Sequence, residues 1–244
     1  MTRLVRAELL KLVTTRTLLW LGLLTLVLVT LFISLTAGNN GPDELGQIGH
    51  QRDLVNFAAL SALIALILGI IASSGEYAHN TIGQTFLVAP VRERVVGAKL
   101  VAAGLFGLAL AAVAEAAAFA LAALWIVGKS APSHLGTHEV LTAVPGILAA
   151  GGLAAALGVG FGCLLRRQTG AIVLALIWLL VGEPLLAIGK VQRYAPGHAI
   201  AAVVDAGRRS SELLRFWPGL LLAVGYAVVF AVAGAVSVAR TDVT

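Results

Sequence analysis

Six uninterrupted apolar runs constrain this chain more than any motif it carries. They lie at residues 18–37, 54–74, 100–127, 143–165, 171–188 and 218–238. A bilayer core about 30 Å thick is crossed by roughly 20 residues of helix rising about 1.5 Å each. Inside hydrocarbon every backbone amide needs an internal partner, and a helix supplies it within a single segment. The expected fold is all-α: a polytopic membrane protein with six transmembrane helices. Of the 244 residues, 59% are hydrophobic and 12% charged, against about 45–50% and about 25% in soluble domains. Too little polar surface remains to cover a water-facing globule. Ordinary soluble enzymes, disordered chains and nucleic-acid-binding domains are excluded.

The first run is too long for the apolar core of a signal peptide. Leu35-Thr36-Ala37 also puts leucine where a cleavage site needs a small residue. It is read as a retained span. The longest stretch outside a run, 189–217, has 29 residues, short of the ~50 an independent domain needs. Residues 1–244 are thus read as a single transmembrane domain. Internal repeats and low-complexity linkers are not evident. A single cysteine, Cys163, leaves no internal disulfide.

The net charge is +5, and its distribution orients the chain. Arg3, Arg6, Lys11 and Arg16 precede the first run; Arg92, Arg94 and Lys99 follow the second; Arg166 and Arg167 follow the fourth; Arg240 follows the sixth. Those ten share one side. The other side holds Arg52, Lys129 and five residues of 189–217. The excess places both termini in the cytoplasm, with anionic membrane lipid as the electrostatic partner. Trp20, Trp125 and Trp217 lie near run ends, as the membrane boundary favours; Trp178 does not.

Two segments outside the runs have a pattern. In the first 17 residues Val5, Leu9, Leu12 and Val13 are assigned to one helical face, with Arg3, Glu8 and Lys11 roughly opposite. This describes an N-terminal interfacial helix. Between Gly75 and Lys99, Ile82, Phe86 and Ala89 recur at helical spacing, Asn80 and Gln84 take another face, and Pro90 breaks the helix before Arg92-Glu93-Arg94. A short cytoplasmic helix there would offer a partner a docking surface; a plain interfacial loop is the bland alternative.

Within the runs, Glu115 sits mid-span, where a carboxylate is costly and leans functional. It either lines a transport path or bonds to a neighbouring helix. Gly158 and Gly162 form a GxxxG pair, which lets helices approach closely. Glu183 is followed by Pro184, which cannot continue a regular helix, and Pro196-Gly197 supplies a further break. Gly128-Lys129-Ser130 is no phosphate-binding loop, because Ala123 occupies the first glycine position. His134 and His138 are spaced like helical metal ligands, but Pro132 and Gly136 argue for a loop, and no metal site is expected.

Glu76-Tyr77-x-His79-x-Thr81-Ile82, with Pro90, Arg92, Arg94 and Lys99 after it, resembles the type-2 ABC (ATP-binding cassette) exporter permeases of bacteria. That family commonly reads E-[YF]-R-H-G-T-I after span 2, then a proline and basic residues. Glu8-Leu9-Leu10-Lys11 before Thr14-Thr15-Arg16 is similar to the family's amino-terminal ELxK pattern. Glu183-Pro184-Leu185, then Arg193-Tyr194-x-Pro196-Gly197, resembles actinobacterial members. Two positions depart: Ala78 stands where many relatives have arginine and Asn80 where they have glycine.

The resemblance implies the permease subunit of an exporter in the bacterial plasma membrane. It implies a homodimer, or a heterodimer with a similar permease, bound to two copies of a separate ATPase that holds the ATP and Mg; no cofactor is expected on this chain. Glu76, Tyr77, His79, Thr81 and Ile82 would form the ATPase-coupling helix, and Glu183, Pro184, Pro196 and Gly197 the exit region, in short extracellular or re-entrant helices. The competing classes are an intramembrane enzyme using Glu115 or the outer histidines, and an immunity-type or structural membrane protein without transport.

Overall fold

The computed structural model describes residues 1–78, 91–186, 191–205 and 213–239. Every regular element among them is a helix. A short amphipathic helix, α1 (Thr2–Thr14), leads into α2 (Arg16–Asn39). Two outer helices follow, α3 (Pro42–Leu45) and α4 (Ile48–Asn56), and a 3-10 turn at Phe57–Ala59 joins α4 to α5 (Leu60–Ala78). The long α6 (Arg92–Gly128) returns across the membrane. Next come α7 (His138–Leu141) and α8 (Ala143–Leu165), then α9 (Gln168–Ile177). A π-helical turn (Trp178–Gly182) connects α9 to α10 (Glu183–Leu185); α11 (Pro196–Val204) and α12 (Phe216–Ala239) complete the chain. Six helical stretches are long and apolar enough to cross a membrane: Arg16–Asn39, Ile48–Ala78, Arg92–Gly128, His138–Leu165, Gln168–Leu185 and Phe216–Val238.

Several boundaries differ from the apolar runs for physical reasons. Arg92-Glu93-Arg94 does not lie in a connection but forms the first turn of α6. At 37 residues that helix is about 55 Å long, far more than the ~30 Å hydrocarbon core. Its charged first turns can therefore stand outside it. Span 2 likewise starts at Ile48 through α4, and span 5 starts at Gln168. At the Pro184 break the helix widens instead of ending. The missing proline N–H and its clash with the preceding turn are taken up by the π-turn just before it.

The fourth span, α8, is the most buried and occupies the centre, with α5, α6, α11 and α12 around it. It reaches that position because it has glycine where its neighbours' backbones touch. A Cβ on Gly158 would fall on the Leu66 carbonyl of α5, and one on Gly162 on the Ser73 hydroxyl. The GxxxG pair thus packs two helices of the same protomer. Gly151 of α8 and Gly107 of α6 meet each other's carbonyls in the same way.

The two ends of the bundle are tied by polar groups. On the side away from the termini Gln51 is fully buried. Its Nε2 donates to the carbonyls of Leu45 (2.8 Å) and Pro132 (2.7 Å), while Oε1 accepts the His134 N–H at 2.7 Å. Lys129 donates to the Gly38 carbonyl at 2.9 Å, capping α2. On the terminal side Arg92 donates to the Val238 carbonyl (3.0 Å) and Arg166 to that of Ser237 (2.6 Å), so two guanidiniums cap α12. Arg166 itself ends α8 in a left-handed conformation, φ 57°.

Gly158→Val should force α5 and α8 apart and cost about 1–3 kcal/mol, the usual range for overpacking. Thermal unfolding in detergent checks this, with Gly136→Ala as the control: a Cβ there meets nothing within 4 Å.

Candidate functional site

Where α1 crosses the ends of α5 and α6, four side chains close a ring of alternating charge. Lys99 Nζ lies 2.8 Å from Glu8 Oε2 and 2.8 Å from Glu76 Oε1. Lys11 Nζ lies 2.8 Å from Glu8 Oε1 and 2.7 Å from Glu76 Oε1. Two lysines against two glutamates leave no net charge. Lys99 is 3% exposed and Glu8 7%, so the desolvation of each buried charge is offset by the others. Lys99 also donates to the Ala72 carbonyl at 3.2 Å, which ties the start of α6 to the last turns of α5.

The ring corrects the reading of α1. Glu8 is not opposite the apolar stripe but is the one buried residue of that helix, whereas Val13 is exposed. Glu8 is three residues from Val5 and four from Leu12, so it borders their face. The Lys99 ammonium draws it inward. What the sequence reasoning missed was the pairing itself, since 91 residues separate Glu8 from Lys99. One signal was available: Lys99 adjoins an apolar run, and an ionisable group there demands a partner.

Of the five proposed ATPase-coupling residues, Glu76 and Tyr77 end α5 and face into the protomer. Glu76 belongs to the ring; Tyr77 packs against the core with the Arg166 guanidinium 5.9 Å from its ring centroid. His79, Thr81 and Ile82 lie outside the described residues, as does most of the expected coupling helix.

Around Lys11 two effects oppose. Burial lowers the pKa of its ammonium, but hydrogen bonds and charge from Glu76 and Glu8 outweigh it, and the pKa rises above the ordinary 10.5. A lysine held above its unfolded value stabilises the fold fully below that value and loses this contribution as pH climbs through the folded one.

The other end of the molecule brings three of the four proposed exit residues together. Glu183 is buried. Its carboxylate accepts the Gly197 N–H (2.6 Å), His198 Nδ1–H (2.8 Å) and Trp178 Nε1–H (3.2 Å). A carboxylate thereby serves the amino terminus of α11, whose own preceding residue, Ala195, has no capping side chain. Pro196 opens α11, the position where its missing N–H costs nothing. Pro184 sits in the first turn of α10, beyond the π-turn. α11 packs onto the starts of α8 and α12: a Cβ on Gly146 would meet the Val203 carbonyl, and one on Gly219 the Ala202 side chain at 2.7 Å.

Glu115 points into the protomer, 5% exposed, among the alanines of α6 and the core they build with α2. Neither of its carboxylate oxygens has a hydrogen-bond partner among the described residues. It does not line the large apolar cavity between α5, α8, α9, α11 and α12. Among the described residues no three His, Cys, Asp or Glu side chains are grouped as a metal site requires.

Residues 4–182 match a family model described as ABC-2 family transporter protein. No curated protein matches the chain.

Two measurements check the ring. Lys99→Met leaves Glu8 and Glu76 with one lysine between them and should destabilise by about 3–5 kcal/mol, the cost of breaking a buried pair. Adding Glu8→Gln to it should restore part of that loss, which a double-mutant cycle reads directly. Separately, spin labels at Ala7 and Glu93, both exposed, should report one fixed α1–α6 distance from neutral pH up to about pH 10, broadening above the lysine range.

Proposed function

Because the chain belongs to the ABC-2 family of transporter proteins, we propose that it is the permease subunit of an exporter, driven through residues 75–94 by a separate ATPase. Its place as a permease-type, multi-pass membrane component of an ABC transporter follows from the family. We infer the finer arrangement as well. Both termini and the 75–94 segment lie in the cytoplasm of a bacterial cell. Two permease chains, identical or similar, hold two ATPase copies, and ATP and Mg belong to those partners.

One observation carries this reading: the four-charge ring. ATP energy reaches a span only through mechanical contact. The 75–94 segment leaves the membrane from α5 and returns through α6. At its root Glu76 and Lys99 are locked to each other and to α1. A push on the segment therefore moves α5, α6 and the interfacial helix as one body, and tilting them alternates access to a path at the dimer interface. In this scheme Glu76 and Tyr77 position the segment, while His79, Thr81 and Ile82 meet the ATPase. Glu183, Pro184, Pro196 and Gly197 hold the exit end, and Glu115, buried in the protomer with both oxygens unmet among the described residues, reaches the path only when α5 and α6 tilt.

The test is co-expression with candidate ABC ATPases from the same genome, followed by ATPase and efflux measurements. Glu76→Gln and His79→Ala should each reduce permease-stimulated hydrolysis by at least about fivefold, the lower end of common coupling free energies, in complexes that still assemble. Glu115→Gln should lower efflux and leave hydrolysis largely intact. Normal coupling in assembled Glu76 and His79 variants overturns the reading.

A further inference from the structure

The cavity between spans 2, 4, 5 and 6 takes no part in the coupling scheme. It holds about 640 Å³, inside the ~300–1,000 Å³ range of small-molecule sites. Leu157, Phe161 and Phe230 line its depth, with Trp178, Tyr226 and Gly197 toward the end away from the termini. Among the described residues its polar wall side chains are engaged. Trp178 Nε1 donates to Glu183, and the Tyr226 hydroxyl donates to the Tyr194 carbonyl at 2.7 Å. Water, which needs two to four polar partners, has nothing to hold it there. An empty space of this size would forfeit dispersion contacts along every wall. Any occupant has to be apolar.

Its source and its head group follow from the surroundings. Trp178, on the span 5 wall, is 44% exposed, so the cavity is open, and what surrounds it at that depth is hydrocarbon. The Glu183 carboxylate, by holding Trp178, Gly197 and His198 together, fixes the shape of the outer end. Three residues before Pro196 of the cavity wall, the Arg193 guanidinium lies 5.0 Å from the Tyr194 ring centroid, and the Tyr194 carbonyl is held by Tyr226 of the same wall. Arg193 is exposed, and no carboxylate pairs with it among the described residues. An apolar slot with a cation at its mouth complements an amphiphile with an acidic head. We propose that this cavity is a binding site for an anionic lipid, one acyl chain lying between spans 4, 5 and 6 and the head group meeting Arg193. A bilayer phospholipid and a free fatty acid share that chemistry. The site depends only on the chain's lying in a membrane, not on coupling to an ATPase.

Trp178 is itself the reporter. The full chain in phosphatidylcholine vesicles, without ATP, is prepared in two forms: one with Trp178 as the sole tryptophan, one with Trp217, which is 69% exposed and reads the surrounding lipid. Each is titrated with chain-brominated phosphatidylglycerol, phosphatidylcholine or fatty acid. Trp178 should reach half-quenching at a mole fraction about fivefold lower than Trp217 with an anionic lipid, the effect of one basic residue near the surface, and show no such preference with phosphatidylcholine. Whichever anionic lipid gives the shift identifies the source. Arg193→Gln should abolish the preference, and Ala175→Phe, which obstructs the cavity from the span 5 wall, should return Trp178 to the behaviour of Trp217. If the tryptophan replacements prevent assembly, the difference between wild type and Trp178→Phe gives the same curve. Two results overturn the proposal: quenching of Trp178 that follows Trp217 for every lipid, or shielding of Trp178 from all of them, as when a second copy covers the cavity.

Discussion

Hydrocarbon solvates neither a charge nor an unpaired amide, and the polar features of this molecule are distributed accordingly. Lys99 stays near the terminal end of α6 by closing a ring with Glu8, Glu76 and Lys11. Glu183 is surrounded by three donors. Ser73 and Ser74 return their hydroxyls to carbonyls of their own helix, at 3.0 Å and 2.6 Å. The carbonyls at the end of α12 are met by Arg92 and Arg166. Each pairing also joins separate segments or rigidifies one, so electrostatic necessity and architecture coincide. Glu115 is a carboxylate exception, with neither oxygen met among the described residues, which is why it stands out as a functional position.

In lipid no hydrophobic difference drives one apolar helix onto another, and close backbone approach becomes the source of cohesion. The centre of this bundle follows that rule. α8 meets α5 at Gly158 and Gly162, α6 at Gly151, and α12 at Gly160, where a Cβ would lie 2.6 Å from the Phe230 backbone. Spans 2, 3 and 4 form a tight unit, whereas spans 1, 5 and 6 leave more of their apolar surface uncovered. The charge ring sits at one end of that unit. The Glu183 latch and the lipid-sized cavity sit where span 5 is less closely held. A rigid part and a looser flank are what a membrane machine needs if force applied at one end is to alter what the other end encloses.

Much of this was legible in the chain. The apolar runs located the spans, because a helix crossing hydrocarbon must be apolar over its whole crossing length. The GxxxG pair announced a close contact, since only glycine permits it, although which helix it would meet was open. Glu183-Pro184 and Pro196-Gly197 were legible as irregularities, but not as a carboxylate reaching across to the next helix's amino terminus. Less readable were charges near an apolar boundary. Glu8 was assigned to the polar side of α1 although it borders the apolar face. Arg92 to Lys99 were assigned to a connection although they begin α6, because a charged helical turn and a charged loop have the same composition.

By itself the sequence determined the class of protein, the number of crossings and the need for partners to its buried charges, since length, apolarity and charge are properties of segments one at a time. Only the tertiary structure decided which partners those charges take. Lys99 finds Glu8 across 91 positions and Glu183 finds His198 across 15, because α1 crosses the ends of α5 and α6 and the amino terminus of α11 comes up against the end of span 5. The energy of a buried ion pair depends on a few ångströms between atoms, and those distances are set by how helices pack, not by their order along the chain.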